Sequence, residues 1–227
     1  AMHEHDLTMP FRRYHIAPVW RGDRPQKGRY REFFQCDVDI VGVASMAADA
    51  EIVSLLTTAL GRLGFADFTV HINNRKLLTG IGIYAGVPQA QLGDLYRSVD
   101  KLDKIGPEAV AALLVDEVGM DAASAQRCLD LASITTHDAS FVDEVRALGV
   151  RNDLLDEGLE SLASLVETAA RYVPGRLVAD LKIARGLDYY TGTVYETFMV
   201  GHEKLGSVCS GGRYDSLAAD GRTTYPG

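Results

Sequence analysis

The chain has 227 residues, 47% of them hydrophobic and 24% charged, and its 23 basic and 31 acidic side chains leave a net charge of −8. That balance fits a globular chain of one large or two small domains and argues against general coating of nucleic acid. No apolar run reaches the roughly 18 residues of a membrane helix, no secretory signal pattern opens the chain, and the cysteines Cys36, Cys128 and Cys209 match neither a metal-ligand spacing nor a disulfide framework. A soluble, cytoplasmic protein that touches no membrane is the expectation.

The first informative stretch is 12–42. Residues 13–21 (RYHIAPVWR) read as a strand from their β-branched and aromatic content, with Pro18 tolerable at an edge or bulge. Residues 22–30 (GDRPQKGRY) form a loop of turn residues and cations, and 31–41 form a second strand. Period two puts Arg31, Phe33, Gln35, Asp37 and Asp39 on one face, and Phe34, Cys36, Val38 and Ile40 on the other. The second set reads as a core face. The first is costly to bury without a ligand or partners.

Residues 47–63 predict a helix whose apolar stripe is Ile52, Leu55, Leu56, Ala59, Leu60 and Leu63, stopped by Gly64. Alternation at Phe68, Val70 and Ile72 predicts a strand over 67–73. From 75 to 172 the texture is helical, with amphipathic segments at 89–104, 107–117, 121–132, 138–147 and 156–172 and no convincing strand. Strand character returns after Pro174 and Gly175: near 176–183, again through 184–200, and, after a turn at 201–206, in 207–217. The expectation is an α+β protein in three parts. These are a first part of the core at 1–74, a helical insertion at 75–172 and a second part of the core at 173–227.

Three stretches carry the chemistry: VWRGDRPQKGRYREFFQCDVDIVG (19–42), RGLDYYTGTVYE (185–196) and SGGRYDSL (210–217). In this order, with a helical segment between the first and second, they resemble the histidyl-tRNA synthetases, a family of class II synthetases. The first resembles that class's motif 2 hairpin, and the other two resemble the family's histidine signatures. The resemblance implies a class II antiparallel sheet with flanking helices, interrupted by an all-helical insertion. It also implies activation of histidine by ATP, with Mg2+, to histidyl-adenylate, followed by transfer to tRNA(His). The parent would be a homodimer.

The resemblance assigns roles to individual residues. Arg21 would contact the α-phosphate, where a planar, permanently charged fork suits two oxygens. Taken alone, it reads more simply as a surface arginine paired with a carboxylate. Phe33 would stack on adenine. Gln35 and Asp39 would bind the substrate histidine, the carboxylate accepting an imidazole N–H and fixing the tautomer; otherwise they are solvated residues of an edge strand. Arg185 would stabilise charge at the reacting carboxylate and phosphate. Tyr189 and Tyr190 match the paired tyrosines of the signature, Tyr190 being the imidazole partner, although a bare YYTG run reads more simply as core. Arg29 would bind ATP, and Arg24 and Lys27 would meet tRNA phosphates, unless the loop is just a solvated charge run. Gly192 would admit a ligand or backbone. Gly211 and Gly212 would relieve bulk beside the pocket, and the run from Arg213 to Asp215 would close its wall.

The chain opens after the position of the family's first motif and closes where motif 3 should begin, so the resemblance implies an incomplete and inactive fragment. One rival is the regulatory subunit of ATP phosphoribosyltransferase, which resembles these synthetases, binds histidine and charges no tRNA. Its expected mark is loss of the phosphate-directed arginines, and both Arg21 and Arg185 are present. A fragment with no competent pocket is the other rival.

Overall fold

The computed structural model describes residues 6–25, 30–184, 189–216 and 226–227. Lys27, Arg29 and Arg185 lie outside the described residues.

Strand β1 (Phe11–Trp20) pairs antiparallel with β2 (Glu32–Val41) in one unbroken register, from Phe11 opposite Val41 to Trp20 opposite Glu32. Directly opposed residues share a face. One side of the hairpin therefore carries Arg13 and His15 with Gln35, Asp37 and Asp39, and the other carries Tyr14, Ile16 and Trp20 with Phe34. The second side is not the core face expected of it. Ile40 is buried, but Phe34 is 73% exposed and Cys36 is exposed, as are Tyr14, Ile16 and Trp20. Strand parity sorts the faces correctly; what covers a face depends on neighbours. The hairpin is held to the body near Ile40, where the opposing residue Arg12 donates from Nε and Nη2 to Glu51.

Helix α1 (Met46–Arg62) starts where the Ser45 hydroxyl accepts the Ala47 N–H at 3.2 Å and stops before Gly64, whose φ of +91° is open to glycine. Its inner face differs from the predicted stripe. Val53 and Leu56 are buried and Leu60 packs on the core, while Leu55 and Leu63 face outward. The apolar arc is wider than the surface available to it, so its flank is left in water.

Among the described residues, five strands form the second sheet: β3 (Phe68–Asn74), β4 (Thr135–Thr136), β5 (Leu177–Asp180), β6 (Thr193–Met199) and β7 (Cys209–Gly212), in the order β4-β5-β3-β6-β7. Neighbours run antiparallel except β3 and β5, which are parallel. A parallel pair needs a long crossover, and here the helices between them supply it. The short β4 lies within the stretch where no strand was expected. Phe68, Val70 and Ile72 of β3 are buried with the predicted period.

The crossover contains α2 (Arg75–Tyr84), α3 (Leu92–Val99), α4 (Leu102–Ile105), α5 (Pro107–Asp116), α6 (Ala122–Ser133), α7 (Phe141–Ala147) and α8 (Asp153–Ala169). Helix α2 matches none of the predicted segments, and its Gly80 and Gly82 are poor helix formers by propensity. Packing reverses that. A Cβ at Gly80 would sit 2.7 Å from Leu155 Cβ, and one at Gly158 would sit 2.9 Å from Lys76 Cβ, so these glycines let α2 and α8 approach closely. Asn74 caps α2, and Asn152 caps α8 while its Nδ2 donates to the Gly80 carbonyl at 2.9 Å. Helix α8 also packs on α1, β3 and β5, and one buried cluster runs from Val53 and Ile72 through Leu114 and Phe141 to Leu177.

Candidate functional site

The polar face of β2 and the exit of β7 meet at a cluster of charged and phenolic groups. Backbone bonds set that meeting. The Gly42 and Val43 N–H groups donate to the Pro226 carbonyl at 2.7 and 3.1 Å, and the Gly227 N–H donates to the Tyr214 carbonyl at 3.0 Å. On the other side, the Arg213 N–H donates to the Thr193 carbonyl at 2.7 Å and the Thr191 N–H to the Arg213 carbonyl at 2.9 Å. Residues 213–214 are thus laced to the start of β6 and, through Pro226 and Gly227, to the end of β2.

Asp39 is the centre of the cluster. Arg13, its register partner on β1, donates from Nε to Asp39 Oδ2 at 2.8 Å, and the Tyr214 hydroxyl donates to Oδ1 at 2.9 Å. Two residues along the same face, the Gln35 amide is tied at both ends. Arg21 Nη2 donates to its Oε1 at 2.7 Å, and its Nε2 donates to Asp37 Oδ1 at 2.7 Å. The Arg21 guanidinium lies 4.9 Å from the centroid of the Phe33 ring. Phe33, Gln35 and Asp39 therefore share one face, as the strand parity predicted, and Arg21 joins their row through Gln35 and Phe33.

The tyrosines complete the other side. The rings of Tyr189 and Tyr190 stand edge to face, 4.7 Å apart, and Tyr189 lies 6.5 Å from Tyr214. Burial, then the hydrogen bond with Tyr189, raises the Tyr190 phenol above its ordinary range. Burial, then the charge of Asp39, does the same to Tyr214. Both phenols are donors at neutral pH. A carboxylate offers about four lone-pair positions, so Asp39 can hold its two present donors and accept another.

Glycines make room for these rings. A Cβ at Gly211 would overlap the Tyr195 ring, and one at Gly212 would sit 2.9 Å from the Tyr190 ring. Gly192 does not face open space for a ligand: its missing Cβ is directed at Arg213 Cδ, 3.2 Å away, so the space is taken by this arginine. Arg24 is exposed in the hairpin loop. The predicted roles of Lys27, Arg29 and Arg185 fall outside the described residues, but the lead-in to Arg185 is held, since buried Asn73 donates from Nδ2 to the Leu181 and Ile183 carbonyls at 3.0 and 2.9 Å.

Two members of the cluster have no individual role in the sequence reading. Tyr214 was placed only in a wall, and Arg13 was read only as part of a strand. The hairpin register that sets Arg13 opposite Asp39 was the available signal, but it needs the loop geometry to be known.

A family model described as Histidyl-tRNA synthetase matches residues 1–226. The chain is 55% identical over 223 residues to the histidine–tRNA ligase of Micrococcus luteus, covering 97% of this chain and 48% of that protein. It is 56% identical over 227 residues to the histidine–tRNA ligase of Cutibacterium acnes, covering 97% and 50%. Its fold is similar to the crystal structure of histidyl-tRNA synthetase from Nostoc sp. PCC 7120, with a TM-score of 0.85, 36% identity, and coverage of 95% of this chain and 50% of that one. A structure from Bacillus halodurans, titled an ATP phosphoribosyltransferase regulatory subunit/histidyl-tRNA synthetase, shares the fold at a TM-score of 0.82 and 24% identity, covering 98% of this chain and 56% of that one. The chain spans about half the length of the curated relatives it matches. On the match over residues 1–226, it belongs to the histidyl-tRNA synthetase family.

Proposed function

We propose that this chain carries the histidine pocket and part of the ATP site of a histidine–tRNA ligase, acting on histidine, ATP and tRNA(His). The observation that carries the reading is Asp39, held between the Arg13 guanidinium and the Tyr214 hydroxyl on the same strand face as Gln35. A neutral imidazole presents one N–H and one bare nitrogen. Asp39 accepts the N–H, Tyr190 serves the other nitrogen, and Gln35 orients the substrate beside them.

Arg21 lies at the end of this row with its charge above Phe33, an arrangement that suits an adenine ring and the phosphate attached to it. As the histidine carboxylate attacks the α-phosphate, negative charge grows there. Arg21 and Arg185 stabilise it in this reading. Magnesium enters with ATP, where it neutralises triphosphate charge. Arg24, Lys27 and Arg29 give the hairpin loop three cations for ATP and tRNA phosphates. The reading places the parent protein in the cytoplasm as a homodimer, and the exposed Tyr14, Ile16, Trp20 and Phe34 supply apolar surface for such an assembly. Arg21 favours a charging enzyme over the non-charging regulatory paralogue.

The test is isothermal titration of histidine into the complete gene product and into its Asp39→Asn variant. The variant should lose about 1.5–3 kcal/mol of histidine affinity, the scale of a hydrogen bond to a charged group, with ATP binding little changed. Equal histidine affinity in the two proteins would remove Asp39 from the pocket.

A further inference from the structure

Arg213 is buried, and each of its three nitrogens has a separate acceptor. Nε donates to Asp215 Oδ1 at 2.8 Å, Nη1 to Asp49 Oδ2 at 2.6 Å and Nη2 to the Val43 carbonyl at 2.6 Å. Asp49 is itself buried, in the first turn of α1, and Val43 follows the end of β2. The path of the side chain depends on Gly192, whose missing Cβ leaves it space. The next residue, Tyr214, reaches Asp39 on β2. Two adjacent side chains thus grip two points of one segment, Arg213 at Val43 and Tyr214 at Asp39.

We propose that Arg213 is a positioning residue for histidine recognition: by locking residues 213–215 to α1 and to the exit of β2, it sets the separation between the Tyr214 hydroxyl and the Asp39 carboxylate. The inference rests on the reading of Asp39, oriented by the Tyr214 hydroxyl, as the acceptor of the imidazole N–H. Arginine is needed because its rigid planar fork can serve three acceptors at once, whereas an ammonium is a point charge on a flexible stem. Arg213 touches no substrate. It acts by holding Tyr214 against the carboxylate that does, and sub-ångström placement of such a group is what binding specificity requires.

The experiment is steady-state pyrophosphate exchange by the complete gene product carrying Arg213→Lys, Arg213→Met, Tyr214→Phe, or Arg213→Lys with Tyr214→Phe. The lysine variant should raise KM for histidine roughly 10-fold while KM for ATP stays within about twofold, and methionine should raise the histidine value further. In the Tyr214→Phe background, Arg213→Lys should add little, because the two side chains act on one distance. Equal rises in both KM values, full additivity with Tyr214→Phe, or a lowered melting temperature with an unchanged histidine KM would each overturn the proposal. Exchange that is independent of histidine in the unmodified protein would instead overturn the reading of the site and take this inference with it. Histidine-dependent exchange that Arg213→Lys leaves unchanged would overturn this inference alone.

Discussion

The Tyr214 hydroxyl donates to Asp39 Oδ1 at 2.9 Å across 175 residues of sequence. It joins the segment that follows β7 to the β1–β2 hairpin and leaves the carboxylate oriented by a phenol on one oxygen and by Arg13 on the other. Tyr214→Phe removes the donor and keeps the ring. We expect histidine affinity to fall by about 1–2 kcal/mol, with ATP affinity unchanged, in titration calorimetry of the complete gene product. A variant that binds histidine as the parent does would show that the phenol only packs.

The close approach of α2 and α8 makes a stability prediction against helix propensity. Alanine at Gly80 would favour an isolated helix by up to about 1 kcal/mol, but its Cβ would lie 2.7 Å from Leu155 Cβ. Overlap should win, and Gly80→Ala should lose about 1–3 kcal/mol in urea denaturation. Asn152→Ala should lose about 1–2 kcal/mol, since it removes the α8 cap and the donor to the Gly80 carbonyl. A more stable Gly80→Ala protein would contradict the packing.

Asp49 gives a pH dependence. Burial raises its carboxyl pKa above the ordinary value of 3.8, and the charge of Arg213 pulls the other way. A carboxyl whose folded pKa lies above its unfolded one favours the folded state most below the unfolded value, and this contribution is lost as pH rises through the folded value. Without Arg213 the buried carboxylate is uncompensated when ionised. Arg213→Met should therefore lose more stability near pH 8, on the order of 3–5 kcal/mol, than near pH 5, because falling pH favours the protonated carboxyl and shrinks the loss. Denaturation midpoints at the two pH values decide it. A pH-independent loss would mean that the lost fork matters only through its packing.

Thiol labelling at about pH 8 should rank the three cysteines by environment. Cys36 is exposed and should react first. Burial and the charge of Asp37 raise the Cys209 thiol, which should react slowly. Cys128 is buried and pushed up to about 12, so it should react only when the chain unfolds. Mass spectrometry of a labelling time course reads the order, and early modification of Cys128 would show that the α6 core opens readily.

Local rules reached far into this protein. Strand parity alone put Phe33, Gln35 and Asp39 on one face, and the three motifs in order led to the family to which the chain belongs. Periodicity found α1 and β3, and Gly64 marked the end of α1 because its left-handed φ is open to glycine. What remained hidden depends on partners distant in the chain. Helix α2, whose glycines are poor helix formers in isolation, is not among the predicted segments, and its close fit against α8 exists only in the folded chain. The apolar flank of α1 and the Phe34 face of the hairpin read as core, although burial is decided by which neighbour arrives and not by the pattern that awaits it. The same reason kept the site's anchors from view: Arg13 and Tyr214 have their meaning only where Asp39 meets them, and Arg213 only where Asp49 and Val43 do. A side chain's type and parity are local properties of the sequence, whereas the acceptor it finds is a property of the folded chain.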